Sequence, residues 1–452
     1  MKLSERSLGF SYYLKEFLSS KLAIAGLVIL AILLVFTGIA LSIPSKVYSS
    51  WNNPAAWTEY PQHVPPSWMA IFYPGKYFTT EKLTPTHISY ESFGSSVHIA
   101  IINYQFDWTK SLPPYDIYFI TTTNITPAEE IIYWTKPDGS TISMSVPSNV
   151  FNVPFDLTSI SNSILSYITS VTGKTPSLVN STVLSSALFN SPKSDLTITE
   201  QGKYSVEIEI VSTSPIKVTN STILLLGNSY GLMGTDYFGR PIALGILLGL
   251  PNALEIGTLT SVVSVLVGVI VGGISGYLGG NKDSVIQWVT LVFLALPALP
   301  FLVAVSFVTS PSLTLEALLI AFLAWPFYAI IARSVALSIK SNPFVEADKL
   351  LGIPSYRVFF THFMPRLIPM TVAYMALGVP GGILLAETLA FLGIAPANIV
   401  TWGGILNSAE TYQAQVNGWW WWVVFPGVMI VIVSIPFVLI GFAVERVALG
   451  ER

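Results

Sequence analysis

The chain of 452 residues contains no cysteine, so disulfides, thiolate metal sites and a cysteine nucleophile are excluded. Histidine is scarce: His63, His87, His98 and His362 are scattered along the chain and offer no His-rich metal centre. Charge is scarce too. Only 10% of residues are Asp, Glu, Lys or Arg, where soluble proteins carry about a quarter. With a net charge of −3 and no basic patch, there is no footprint for a nucleic-acid partner. A phosphate-binding loop is missing as well: Gly173-Lys174-Thr175 imitates the end of one, but Ile168 stands where its first glycine is required. The chain is therefore expected to bind no metal or cofactor of its own and to be no enzyme.

What is present is hydrophobic. Apolar residues make up 52% of the chain and mean hydropathy is +0.62, the composition of an integral membrane protein. Lys2, Arg6, Lys15 and Lys21, interleaved with Phe10, Tyr12, Tyr13 and Phe17, suggest a short interfacial helix over 1–21. An uncharged run over 22–43 follows. It is longer than the roughly 7–15 apolar residues of a secretory signal and no small-x-small site follows it, so a retained first span is expected.

From 44 to 227 the character changes. Pro, Ser, Thr and Tyr accumulate, and short alternating or β-branched runs appear at 97–104, 117–122, 131–134, 141–146, 204–211 and 218–226, with a hairpin signal at Pro137-Asp138-Gly139. A β-rich domain, expected as a β-sandwich, is the reading, with 159–186 open to a helical one. Three N-x-Ser/Thr sequons, at Asn124, Asn180 and Asn220, lie here and nowhere else, which suits an exoplasmic and glycosylated location.

Five further spans are expected at about 251–278, 284–308, 313–339, 367–393 and 419–447. That makes six transmembrane helices in all. Threaded with the N-terminus inside, they put Lys282, Arg333, Lys340, Lys349, Arg357, Arg366, Arg446 and Arg452 at or near the cytosolic face, and leave the outer loops 309–312 and 394–418 without Lys or Arg. The tryptophans at 419–422 are expected as an interface belt. Glu255 and Glu387 are carboxylates within spans and candidates for a pathway; Glu387 can equally serve as a hydrogen-bonding strut, and Glu255 and Glu316 can reach the outer interface.

The loop 342–369 interrupts this apolar half. Asn342 is suited to cap and Pro343 to start a short helix that Gly352 and Pro354 stop. Beyond the break, Tyr356, Phe359, Phe360 and Phe363 share one helical face, with Arg357 and Thr361 off it. Such a stripe either packs on the chain's own helices or meets a partner.

Its wording narrows the choice. Glu346-Ala347-Asp348, then Gly352, then Pro365 closing the second helix, resembles the EAA loop of ABC-importer permeases, with Asp348 in place of the second Ala and Met364 in place of Leu. Gly234-Thr235-Asp236-Tyr237-Phe238-Gly239-Arg240 resembles the signature of the dipeptide/oligopeptide branch, its C-type subunit in particular. Physically, Gly234 and Gly239 allow a tight turn, and Thr235 and Asp236 can cap the segment that follows. An elbow at the outer mouth and a substrate contact are both open for it. Gly276-Tyr277-Leu278-Gly279-Gly280, Glu387-Thr388-Leu389-Ala390-Phe391-Leu392-Gly393, Thr401-Trp402-Gly403 and Phe425-Pro426-Gly427 match in the same order. The likeness covers about 228–452 and the first span; the insertion of 44–227 and Pro251, where relatives carry arginine, depart from it.

The resemblance implies a type I importer permease: a cytosolic N-terminal segment with the first span (1–43), an exoplasmic β-rich domain (44–227) and a five-helix core (228–452) with its coupling loop at 340–369. It implies a second homologous permease, two cytosolic ATPases that hold ATP and Mg, and an extracytoplasmic binding protein, in the cell membrane, for peptides or a related solute such as an oligosaccharide. Two rivals remain. A proton-coupled secondary transporter would relay through Glu255 and Glu387, and a membrane-anchored surface receptor would act through the β-rich domain.

Overall fold

The computed structural model describes residues 10–449 apart from 95–96, 177–178, 195, 310–311 and 397. Lys2, Arg6 and Arg452, and residues 310–311 of an expected outer loop, lie outside the described residues; the expected interfacial helix is described over Phe10–Ser19. The chain divides into two compact units, one spanning Pro54–Ala243 and the other made of the sequence on either side of it.

Within Pro54–Ala243, the described residues form nine strands in two antiparallel sheets. They are β1 Glu81–Leu83, β2 His87–Phe93, β3 Val97–Trp108, β4 Asp116–Thr123, β5 Glu129–Thr135, β6 Thr141–Ser145, β7 Phe155–Asp156, β8 Gly202–Ser212 and β9 Val218–Leu226. The orders are β1-β9-β4-β7 and β2-β3-β8-β5-β6. Period-2 alternation fixes the register: along β8, Tyr204, Val206, Ile208 and Ile210 turn inward while Lys203, Ser205, Glu207 and Glu209 turn away. Those inward residues share one apolar cluster with Ile102 of β3, Ile117 and Phe119 of β4, and Ile223 and Leu225 of β9. Each such large side chain contributes ~1.5–3 kcal/mol on burial. The Pro137-Asp138-Gly139 turn closes β5 onto β6, with Gly139 at φ +85° and Lys136 and Ser140 joined by a backbone bond of 2.9 Å. Two helices, Ser161–Thr172 and Ser181–Phe189, occupy the stretch left open to helix. The 228–243 segment, drawn with the membrane core from composition, folds into this unit: Phe78 N donates to Asn228 Oδ1 at 3.0 Å and Tyr230 N to Pro65 O at 2.9 Å.

Among the described residues of the other unit, five helices are long and apolar enough to cross a membrane: Lys21–Leu41, Ile242–Leu278, Leu313–Lys340, Ser355–Phe391 and Trp420–Val447. The expected span over 284–308 is two helices, Gly280–Leu294 and Ala298–Val308, bent by 76°. Pro297 sits at the break, where its ring cannot continue a helix and lacks the N–H a helix needs. Ile242–Leu278 begins nine residues before the expected start because Pro251 is held inside the helix. In the turn before Pro251, Trp402 Nε1 donates to Ile246 O at 3.0 Å.

Trp421 and Trp422 are buried, with Trp422 stacked against Tyr412, while Trp420 remains exposed. Within the helix that begins at Trp420, successive residues turn to different faces, so Trp421 and Trp422 pack inward while Trp420 does not. Helix Trp402–Thr411, within the stretch expected as an outer loop, packs in the same region.

Candidate functional site: the 340–369 loop

Helix Pro343–Leu350 lies between two long helices. Gly352 stops it at φ +75°, and Ile353 N reaches back to Asp348 O at 3.1 Å, the 6→1 bond of a helix C-terminus. Asn342 differs from the expected N-cap. Its side-chain amide turns backward, donating to Ser338 O at 3.0 Å and Ile339 O at 3.1 Å, because the preceding helix ends two residues earlier and leaves carbonyls to satisfy.

One side of the short helix is anchored. Val345 is wholly buried with Ala336, Ile339, Val358 and Phe363. Asp348 Oδ2 lies 2.5 Å from His362 Nε2, and the Arg366 guanidinium sits 4.5 Å over the Phe344 ring. The other side is open: Glu346 and Ala347 are exposed, Leu350 is 85% exposed and Leu351 is 78% exposed. Single exposed leucines are ordinary, but two beside a capped, anchored helix form a presented edge.

The expected aromatic stripe is split. Phe359–Phe363 forms a π-helical turn, which shifts the face: Phe359 and Phe363 turn inward and pack on Tyr277 at 5.7 and 4.9 Å, whereas Tyr356 and Phe360 point outward and Arg357 is exposed. Pro365 does not close a second helix. The helix runs on to Phe391, and Pro365 falls in the first turn of the α-helical stretch after the π-turn, where a missing N–H does least harm.

A group that sequence reasoning missed lies in the same unit. Arg333 Nε donates to Asp283 Oδ1 at 2.7 Å and its terminal nitrogen to Oδ2 at 2.6 Å, while Ser275 Oγ donates to Asp283 Oδ1 at 2.5 Å. Lys340 Nζ donates to Leu278 O at 3.1 Å. In the sequence, Arg333 counts only toward charge asymmetry and Asp283 carries no signal of its own. The spacing of 50 residues gives no local signal for the pair.

Glu387 is buried, its Oε2 accepting from Gly403 N at 2.5 Å at the start of helix Trp402–Thr411, where Thr401 Oγ1 accepts from Gly404 N at 3.1 Å. A carboxylate at a helix N-terminus meets unpaired N–H groups and the positive end of the dipole. Glu255 is exposed on Ile242–Leu278.

The 234–240 signature belongs to the Pro54–Ala243 unit. Asp236 is fully buried; Oδ1 accepts from Phe238 N and Arg240 N, both at 2.9 Å, and Oδ2 pairs with Arg240 Nε at 2.5 Å. Thr235 Oγ1 donates to Pro61 O at 2.7 Å and accepts from Val64 N at 3.2 Å. Gly239, at φ +84°, lies so close to Tyr60 O that a Cβ there would come to 2.8 Å. Gly234 also has positive φ, at +74°. The segment is a turn locked by its own carboxylate. The sequon residues Asn124, Asn180 and Asn220 are all exposed, and Asn180 caps its helix by accepting from Val183 N at 2.9 Å.

Among the described residues no cluster of His, Asp and Glu could hold a metal. Residues 265–448 match the family described as binding-protein-dependent transport system inner membrane component. The chain is 30% identical to the oligopeptide transport system permease protein OppC of Haemophilus influenzae over 213 residues, 47% of this chain and 68% of that protein. It is 31% identical to the dipeptide transport system permease protein DppC of the same organism over 230 residues, 49% of this chain and 77% of that protein. With DppC of Alkalihalophilus pseudofirmus it shares 30% over 234 residues, 51% of this chain and 76% of that protein. A membrane unit of apolar helices, a presented short helix between two of them and these likenesses together make the chain a member of the dipeptide/oligopeptide family of ABC-importer permease subunits.

Proposed function

We propose that the chain forms one half of the translocation pathway of an ATP-driven peptide importer, and that 340–369 is where it receives force from a cytosolic ATPase. The observation that carries this reading is the helix Pro343–Leu350, presented on one side by Glu346, Ala347, Leu350 and Leu351 and anchored on the other by Asp348 and Val345. A short helix held this way moves as a rigid body, whereas a loose loop absorbs displacement. Gly352 sets its end, and Tyr356 and Arg357 extend the presented face. Pro365 falls in the first turn of the α-helical stretch that follows the π-turn.

The names of the relatives support peptides as cargo. In this reading the partners are a second homologous permease, two ATPases holding ATP and Mg, and an extracytoplasmic binding protein. In this reading the bent pair Gly280–Leu294 and Ala298–Val308 counts as the sixth span; an even number of spans leaves both termini on one side, and the Lys and Arg asymmetry of the loops supports the cytosol for that side, with the β-rich domain outside. There its two sheets face each other as a sandwich around one core, and its exposed sequons are open to glycosylation. The buried Asp236–Arg240 turn serves as a structural elbow before the second span.

Gentle detergent purification from the native membrane tests the reading. An ATPase and a second permease should co-purify, with peptide uptake dependent on ATP. Uptake that survives ATP depletion while a proton gradient persists would replace it with secondary transport.

A further inference from the structure

We infer that Asp283 and Arg333 form a positioning lock that makes the inner ends of three helices one rigid body with the 340–369 loop. The inference rests on that loop being the face that receives the ATPase stroke, and it names the residues that pass the stroke on.

The geometry is unusual for an ion pair within apolar helices. Asp283, in the first turn of Gly280–Leu294, takes a two-point fork from Arg333 on Leu313–Lys340, with bonds of 2.7 and 2.6 Å. Its Oδ1 also accepts from Ser275 on Ile242–Leu278 at 2.5 Å. One carboxylate thus ties three helices. A planar guanidinium meeting both oxygens fixes angle as well as distance, which a lysine point charge does not. Asp283 is largely buried, and removing one partner of such a pair leaves the other without its counter-charge.

The lock adjoins the lever. Lys340, the last residue of Leu313–Lys340, donates to Leu278 O at the end of Ile242–Leu278. One residue before that end, Tyr277 packs on Phe359 and Phe363 of the π-turn. A push on Pro343–Leu350 therefore meets a closed frame: Val345 and Val358 against Ala336 and Ile339, then Tyr277, then the carboxylate of Asp283. Without the lock, the inner end of Ile242–Leu278 is held to this frame by apolar contacts and the single Lys340–Leu278 hydrogen bond, and neither fixes the angle between helices as the bidentate Asp283–Arg333 pair with its Ser275 bond does.

The experiment uses the absence of cysteine. Nitroxide labels at Leu278→Cys and Ser341→Cys, both exposed positions, report whether the helix end and the loop move together. The complex purified with its ATPases is reconstituted in nanodiscs, and dipolar broadening is read by continuous-wave EPR without nucleotide and with ATP trapped by vanadate. With the lock intact, the broadening should be the same in both states. In Asp283→Asn it should fall and spread once ATP is trapped, and in Arg333→Lys it should do so to a smaller degree. Unchanged broadening in both variants overturns the lock, as does broadening that already changes with nucleotide in the parent chain. Failure of any ATPase to co-purify with the parent chain strikes the proposed function instead. In that event the nucleotide-free spectra still decide the lock, because Asp283→Asn must loosen the pair of labels there too.

Discussion

His362 Nε2 lies 2.5 Å from Asp348 Oδ2, so a charged residue standing where the loop's wording calls for alanine ties helix Pro343–Leu350 to the helix that follows. The contact spans 14 residues and crosses the break at Gly352. It gives the short helix a second fastening beside the Phe344–Arg366 stack. The departure from the family wording is thus itself part of the anchoring.

Replacing Gly352 by Val puts a β-branched residue at φ +75°, at a cost of about 1 kcal/mol or more. No atom crowds the site, so the damage is backbone strain confined to the helix end. Glu346→Lys removes a carboxylate from the first turn and reverses the charge offered to a partner. Both variants are expected to reach the membrane and keep the second permease while losing ATPase co-purification and uptake. Normal values of both in the two variants would sink the docking assignment.

The β-rich unit carries two carboxyls whose burial pushes them up to about 7, Glu130 and Asp116. Glu130 Oε1 has no partner among the described residues, and Tyr104 of β3 lies within its field. Asp116 accepts from Ile117 N at 2.7 Å and feels Asp156. In each case the folded state holds its proton more tightly than the unfolded chain. The stabilisation is therefore complete below the ordinary carboxyl range and is lost as pH rises through about 7, with each group contributing on the order of 3 kcal/mol. Calorimetry should find this unit melting at a lower temperature at about pH 8 than at about pH 4, and Glu130→Gln should reduce the difference. Equal melting temperatures at the two pH values would contradict the burial of both acids in the neutral form.

How far the sequence carried the reading depends on the range of the interactions involved. Six strands were legible, some from alternation set by the pleat itself, as along β8, and others from β-branched and aromatic content, as in β4, whose burial does not alternate. β2, His87–Phe93, was not: it lies at a sheet edge with both faces largely exposed, so its polar wording carries no alternation. Gly352 and the short helix were legible from capping chemistry. The π-turn was not, since whether Pro365 ends a helix or is absorbed by a wider turn depends on Phe359 and Phe363 finding Tyr277. Asp283 and Arg333 needed the folded structure because only packing brings 50 residues of separation to 2.6 Å.

Ser170 and Ser341 are both exposed, and a single cysteine at either is unique in the chain. Maleimide is expected to label Ser170→Cys from outside intact cells and Ser341→Cys only after permeabilisation, following the Lys and Arg asymmetry of the loops. The reverse pattern would turn the proposed topology over.

Glu387 separates the importer from the proton relay that its position in a span first suggests. Its Oε2 accepts from Gly403 N at 2.5 Å, and Gly403 lies so close to Glu387 O that no side chain fits between them. The carboxylate thus stitches the end of Ser355–Phe391 to the start of Trp402–Thr411, next to the Trp402 indole that serves Ile246. What this site requires is an acceptor of the right length, not a proton that comes and goes. Glu387→Gln keeps the amide oxygen and is expected to retain most ATP-driven uptake. Glu387→Leu leaves the N–H of Gly403 buried without a partner, a penalty of about 1–3 kcal/mol, and should lower the yield of folded protein. A relay makes the opposite demand, since glutamine cannot carry a proton through its cycle and would abolish transport while leaving the fold intact. Uptake and folded yield measured on the two variants therefore decide the matter: loss of transport in a well-folded Glu387→Gln protein would overturn the structural role assigned to this acid.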